Sequence, residues 1–432
     1  MDAIWEREPS RPRFGTLRGN AKTDVLIVGG GIAGILCAYA LKETGVDLMV
    51  VEADEICGAT TKNTTAKITL THGLLYDKLI RRFGEEGARQ YLEAQQRACE
   101  RYAAICRGMD CDYELADSYA YSLNGRQRVE REVKALCRLG VKAEFSNAPA
   151  LPFRVDGAVC VANQAQFHPL KFLFSIAKEL PIFEHTKVKE LKPGAAVIDG
   201  GEISFRRLVI ATHFPILNKH GLYPLKLYQH RSYVLALGGA QPPRDAYVDE
   251  NDRGLSFRRY GDLLLLGGGG HRTGKRGGCW AELEAFAGEH YKGAEAVARW
   301  ATQDCMTLDG IPYIGQYAKS TPDVYVVTGF GKWGMTNAMV ASEILSALIS
   351  GKSHPAAALF SPSRSMLRPQ LAVNVLESAL GLLTPTVPRC PHLGCALKYN
   401  RAEHTWDCPC HGSRFAESGE LIDGPATDDK HP

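Results

Sequence analysis

Residues 24–53, DVLIVGGGIAGILCAYALKETGVDLMVVEA, constrain this chain more than any other stretch. An apolar run from Val25 to Val28 meets a glycine turn, an apolar helical pattern follows, and a second apolar run ends at Glu52. That order reads as one βαβ unit and places the chain in the α/β class. Gly29, Gly31 and Gly34 stand at G-x-G-x-x-G spacing around Ile32 and Ala33. The first allows a tight turn, the second lets backbone approach a pyrophosphate, and the third lets helix meet strand, with the helix N-terminus facing the phosphates. Glu52, followed by Ala53, offers a carboxylate to a ribose diol and repels a free 2′-phosphate. The motif alone leaves NAD and FAD both open.

Three later segments narrow the choice. Residues 58–73, GATTKNTTAKITLTHG, are a run of small and hydroxylic side chains able to wrap a diphosphate and the edge of a flavin. Residues 208–215, LVIATHFP, read as a buried strand closing on Ala211 and Thr212. DGIPYIG at 309–315 precedes residues 323–351, where a strand runs into Gly329, Gly331 and Gly334 and then a long helix. These segments, in this order over about residues 24–352, resemble the D-amino-acid-oxidase-like superfamily of FAD enzymes, the glycine and sarcosine oxidases. The resemblance implies FAD, with contacts from Thr60, Thr61, Thr64, Thr65, Ala66 and Lys67 in the first loop and from Val188 to the adenine. It also implies that Gly329, Gly331, Trp333, Gly334, Met335 and Thr336 bring a helix N-terminus to the flavin ring, where negative charge on the reduced cofactor is stabilised.

Between these segments, residues 77–140 read as helical and 226–270 as strands. By resemblance such strands roof the flavin and supply the substrate pocket, so that a Rossmann-like FAD-binding domain interleaves with a mixed-sheet substrate domain. The layout expected is an N-terminal arm over 1–23 and an oxidoreductase unit over 24–365. FAD-binding parts lie near 24–76, 155–222 and 300–352, and substrate parts near 77–154 and 223–299. Polar residues on the strands become candidates: Tyr228, His230, Arg231, Tyr233, Arg258, His271 and Arg272. The catalytic set drawn from them, with His72 beside the flavin loop, is His72, Arg231, Tyr233, Arg258 and His271. No general base can be assigned from sequence. GGGG at 267–270 leads into HRTGKRGG rather than an apolar helix, so it reads as a turn or pocket lip, and direct NAD(P)H binding is not expected.

Residues 390–413, CPHLGCALKYNRAEHTWDCPCHGS, bring Cys390-x-His392 and Cys408-x-x-His411 into two short loops. Two thiolates and two imidazoles make a four-ligand metal site that by donor type suits zinc or iron. C-P-H-L-G-C and W-D-C-P-C-H-G-S-R-F resemble the two loops of Rieske proteins, which implies a [2Fe-2S] cluster with the cysteines on one iron and the histidines on the other. The same resemblance implies a disulfide between Cys395 and Cys410 and a hydrogen bond from Ser413 to a cluster sulfur. High-potential members carry Tyr where this chain has Phe415, which implies a lower potential. Residues 366–388 read as a linker helix followed by a Thr-Pro-Thr-Val-Pro turn, leaving no room for the usual base strands before the first loop. The module at 389–432 is thus expected to be a cap lacking most of its base sheet, docked on the flavin part or on a second subunit. The polar tail DGPATDDKHP is expected to be mobile.

Lys and Arg number 51 against 48 Asp and Glu, a net +3 that excludes a large basic face for nucleic acid. No stretch reads as a secretory h-region or a spanning helix, and nine of the 13 cysteines are scattered, as reduced thiols are. A cytoplasmic protein without a transmembrane segment is expected. A flavin takes two electrons at once and a diiron centre one at a time, so their fusion reads as a converter. The leading expectation is oxidation of a small amine or amino acid, with electrons leaving through the cluster to an external one-electron acceptor. A reductase or monooxygenase-like flavoprotein fed through the cluster is a second reading. A redox sensor or electron carrier without turnover is a third.

Overall fold

The computed structural model of the chain describes every residue except 1, 2, 149, 218, 219, 252, 386, 387, 431 and 432, so Thr386 and Val387 of the expected turn lie outside the described residues. Three sheets organise the described residues. The first has eight strands, with Ala21–Val28 at its centre, flanked in parallel by Gly201–Ile210 and Leu48–Val51. Val324–Thr328 and Ile182–Phe183 extend it, also in parallel, and Tyr313–Gln316 closes one edge antiparallel. The apolar run Val25–Val28 is buried on both faces, the signature of a central parallel strand.

Helix Ile32–Lys42 follows the glycine turn and lies against helix Gly334–Ile349, so the two glycine segments distant in sequence meet behind the sheet. The turn needs glycine for two stated reasons. Gly29 has φ +113°, and a Cβ there would lie 2.5 Å from the Ala211 carbonyl oxygen. A Cβ on Gly34 would lie 1.9 Å from the Gly29 carbonyl oxygen, closer than any atom can sit.

The second sheet has nine strands in the order Glu295–Thr307, Leu227–Gly238, Leu263–Arg272, Ser256–Tyr260, Ala246–Asp249, Glu114–Ser122, Gly157–Gln166 and Lys67–Ile68, with Ala143–Ser146 beside Gly157–Gln166. Residues 77–140 are therefore not wholly helical. Helix Tyr76–Cys106 and helix Arg126–Arg138 bracket the strand Glu114–Ser122, whose burial alternates from Ala116 to Ala120 with a strand's period of two. The Glu132 carboxylate accepts the backbone N–H groups of Leu75, Tyr76 and Asp77 and so caps the long helix. The four glycines at 267–270 are not a turn: they lie inside strand Leu263–Arg272, and Gly267 and Gly268 stand on a cavity wall, as expected of a pocket lip. There Gly269, at φ +60°, has the Cys279 carbonyl oxygen 2.2 Å from where its Cβ would be, so the strand is glycine because backbone crosses it.

The third sheet is a four-stranded antiparallel meander, Lys398–Asn400, Thr405–Asp407, Arg414–Ala416 and Leu421–Asp423, all of it C-terminal to the first cysteine loop. Before that loop the described residues hold helix Pro369–Leu383 and no sheet. As far as Lys430 the tail is packed on the protein, and residues 431 and 432 lie outside the described residues. Ala426 is buried and its N–H donates to Ser413 Oγ, while the Thr427 carbonyl accepts from Lys187 Nζ at 2.7 Å. Among the described residues no helix is long and apolar enough to cross a membrane.

Candidate active site and cluster site

A cavity of about 1240 Å³ opens at the C-terminal ends of the parallel strands, where the topology of an open α/β sheet puts ligands. One end is walled by Gly29, Gly31, Ile32, Ala33, Glu52 and Ala53, with Val188 near the acidic residue. Burial pushes the Glu52 carboxyl up, and the N–H groups of Gly30 (2.6 Å) and Asp54 (3.1 Å) oppose that shift. Thr61 Oγ1 accepts the Ile32 N–H at 3.0 Å, tying the hydroxylic loop to the helix N-terminus. Thr60, Thr64, Thr65 and Lys67 continue the wall, and Ala211, Thr212, Gly329, Gly331, Trp333, Gly334 and Met335 face them. Of the expected nucleotide residues Gly34, Ala66 and Thr336 stand behind this lining.

The expected catalytic residues divide. His72, Arg231 and Tyr233 line the cavity, whereas Arg258 and His271 do not. The Arg258 guanidinium donates to the carbonyls of Thr65 and Phe167 and to Gln166 Oε1, and it lies 5.2 Å from the ring of buried Trp5. It pins the N-terminal arm to the hydroxylic loop. His271 holds the Tyr233 hydroxyl at 3.0 Å. Both ring nitrogens of His72 are engaged, Nδ1 with Tyr91 Oη (2.7 Å) and Nε2 with the Thr69 carbonyl and Thr336 Oγ1 (3.0 Å each). Burial lowers its pKa to about 3, so it stands neutral, stacked on Trp333 at 4.8 Å. Lys67 Nζ lies 2.9 Å from Thr65 Oγ1, and burial, helped by the charge of Arg258, lowers its pKa to about 7.

Two residues that the sequence did not nominate join the sites. Glu403, from the turn between the cysteine loops, reaches Arg231 Nε at 3.1 Å, Arg231 Nη2, Tyr233 Oη at 3.0 Å and Arg414 Nη2 at 2.8 Å. Burial opposes its ionisation, but Arg231 and Arg414 outweigh that and hold the carboxyl below its usual range. Gln303 lines the cavity and accepts Thr60 Oγ1 on its backbone carbonyl (3.2 Å), while its side-chain amide donates to the Gly412 carbonyl at 2.8 Å. It joins the hydroxylic loop to the second cysteine loop. Of the other strand candidates, Tyr228 lines the cavity and Arg272 holds Asn374 (3.0 Å) and the Pro409 carbonyl (3.3 Å). His230 is buried in the sheet, and burial lowers its pKa.

Cys390, Cys408 and His411 are buried and His392 is half-buried. The two imidazoles meet edge to face at 5.0 Å over Phe214. The Cys390 and Cys408 sulfurs hydrogen-bond each other, and Ser413 hydrogen-bonds the Cys390 sulfur. Backbone N–H groups two and three residues on converge on each sulfur, from His392 and Leu393 at one and from Cys410 and His411 at the other. Such donors stabilise thiolates. Nδ1 of His411 is buried without a hydrogen-bond partner, a ring nitrogen left open for a ligand bond. Cys395 and Cys410 are joined as a disulfide beside it. Two cysteine sulfurs and two imidazoles, one of them with an orphaned ring nitrogen, fit a diiron cluster with mixed ligation. The glycine-walled cavity fits a flavin dinucleotide.

The fold and these two sites together define a nucleotide-dependent oxidoreductase fused to an iron-sulfur module. Comparison with known proteins agrees. Residues 24–348 match the family described as FAD dependent oxidoreductase (DAO), and residues 368–431 match the Rieske [2Fe-2S] domain. This chain belongs to the DAO family of FAD-dependent oxidoreductases, carries a C-terminal Rieske domain, and has FAD and a [2Fe-2S] cluster as its cofactors. It is 32% identical to the putative Rieske 2Fe-2S iron-sulfur protein YhfW of Bacillus subtilis, over 98% of this chain and 96% of the relative. It is 23% identical to gamma-glutamylputrescine oxidoreductase of Escherichia coli, over 78% and 86%. Glycine oxidase from Geobacillus kaustophilus superposes with a TM-score of 0.68 at 17% identity, over 80% of this chain and 100% of the other, a likeness of fold.

Proposed function

We propose that this protein oxidises a small amine or amino acid at its C–N bond and passes the electrons, through the cluster, to an external one-electron acceptor. When bound, FAD supplies a hydride acceptor and the [2Fe-2S] centre a one-electron carrier. The observation that carries the reading is Gln303, which touches the hydroxylic loop with its backbone and the second cysteine loop with its side chain. The relatives named for glycine and for gamma-glutamylputrescine support a C–N substrate.

The chain's own residues then have defined tasks. An amine reaches the cavity mostly protonated, and hydride loss requires its neutral form. Lys67 Nζ, whose pKa burial lowers to about 7, takes that proton. His72, neutral and fully engaged, moves no proton and instead fixes the plane of Trp333. Arg231 already holds the Glu403 carboxylate, so this wall presents a compensated pair rather than a free cation, and it favours an amine over a substrate anchored by its carboxylate.

The test is anaerobic titration of the purified holoprotein with a panel of amines and amino acids. Bleaching of the flavin band followed by a Rieske EPR signal supports the proposal. A flavin that every amine leaves oxidised, yet that an external donor reduces through the cluster, overturns it.

A further inference from the structure

Helix Pro369–Leu383 is turned inside out. Its inward side carries Asn374, Gly381 and the half-buried Glu377, while Val373, Val375, Leu376, Leu380, Leu382 and Leu383 face solvent. Asn374 is spent on the protein, donating to the Leu225 carbonyl at 3.1 Å and accepting from Arg272, and Glu377 is paired with Lys275 at 2.7 Å. At 100° per residue the exposed apolar side chains cover about half the circumference without a charge among them. A seam between two helices uses a narrower stripe, so a second copy would leave much of this arc wet. At 15 residues the helix is also too short to span a bilayer.

The surroundings are basic. Arg368 precedes the first turn, Arg389 binds the carbonyls of Leu382 and Thr384 at the last, and exposed Arg276 follows Lys275, whose charge Glu377 balances at the middle. Glu377 is the one carboxylate in the sequence from 366 to 402. The cluster loop belongs to the same face. Arg389 donates to the Gly394 carbonyl, Ala396 N–H donates to the Gly381 carbonyl, and Leu393, next to His392, is exposed.

We propose that this helix docks the protein on the surface of an anionic lipid bilayer, its apolar arc lying at the acyl boundary and its cations at the headgroups, with the loop 390–395 held against the interface. The proposal is independent of the amine chemistry. The experiment is flotation of the full-length holoprotein with phosphatidylcholine vesicles, with and without phosphatidylglycerol. Wild type is expected to float with the anionic vesicles, more weakly in high salt and more weakly on phosphatidylcholine alone. Leu376→Glu with Leu380→Glu is expected to lose binding by about tenfold or more while keeping the flavin band. Arg276→Glu, which leaves the helix untouched, is expected to weaken binding to the anionic vesicles only. Failure to float, or flotation that these variants leave unchanged, overturns the proposal. So does a concentration-dependent dimer that Leu376→Glu dissociates in the absence of lipid.

Discussion

Glu403 shows how far a single side chain can act across a module boundary. Its carboxylate compensates two buried guanidinium groups, Arg231 and Arg414, and Arg414 also reaches Asp407 at 3.2 Å. Glu403→Gln leaves those cations short of a partner, and breaking a buried pair in this way costs about 3–5 kcal/mol. Thermal denaturation is expected to show that loss near neutral pH. Because the folded carboxyl titrates below its ordinary value of 4.5, its stabilisation is full above that pH and fades as pH falls through the depressed value. The acid limb of the wild-type melting profile should therefore be steeper than that of Glu403→Gln. Lys67 makes a separate, kinetic prediction. With the amine neutral above about 7, kcat/KM should rise with pH through that region, and Lys67→Met should flatten the rise and lower the plateau by about 10²-fold or more. Neither role was legible in sequence. Glu403 sits in RAEHTW, a stretch indistinguishable from any exposed turn, and its partner Arg231 is far away in the chain.

At the scale of elements, legibility followed locality. The glycine turn at 29–34 and the two cysteine-histidine loops each define their geometry within a few residues, so spacing alone reveals them. The turn read at 267–270 is strand instead, because Gly269 answers to the Cys279 backbone, a contact that no local pattern encodes. Likewise the helix Pro369–Leu383 was legible as a helix, but which face meets the protein is decided by Arg272 and Leu225. Gly381 faces the disulfide there, with its absent Cβ 2.6 Å from Cys410 Sγ. Gly381→Val is expected to push the helix off the cluster loop, shifting or broadening the Rieske EPR signal while the flavin spectrum stays as in wild type.

Over the whole molecule, the Rieske domain is a partial one that borrows its support. Its meander begins at Lys398, and its loops rest on Phe214, Gln229 and Gln303 of the flavin part. A segment of this size buries too little surface to be stable without metal or a neighbour. Cys390→Ser is accordingly expected to abolish the EPR signal, and limited proteolysis should then cut the region after residue 389 first while the flavin band persists. If flavin and signal vanish together, the two halves fold as one cooperative unit.

The wall of the dinucleotide cavity includes Leu421, Ile422, Asp423, Gly424, Ala426 and Thr427. Those residues leave the ribosome after every other part of that wall, and Ala426 is fastened to Ser413 beside a ligating cysteine. Biogenesis is therefore ordered: a nascent chain has no finished berth for its coenzyme until residues 421–427 have emerged and closed that wall.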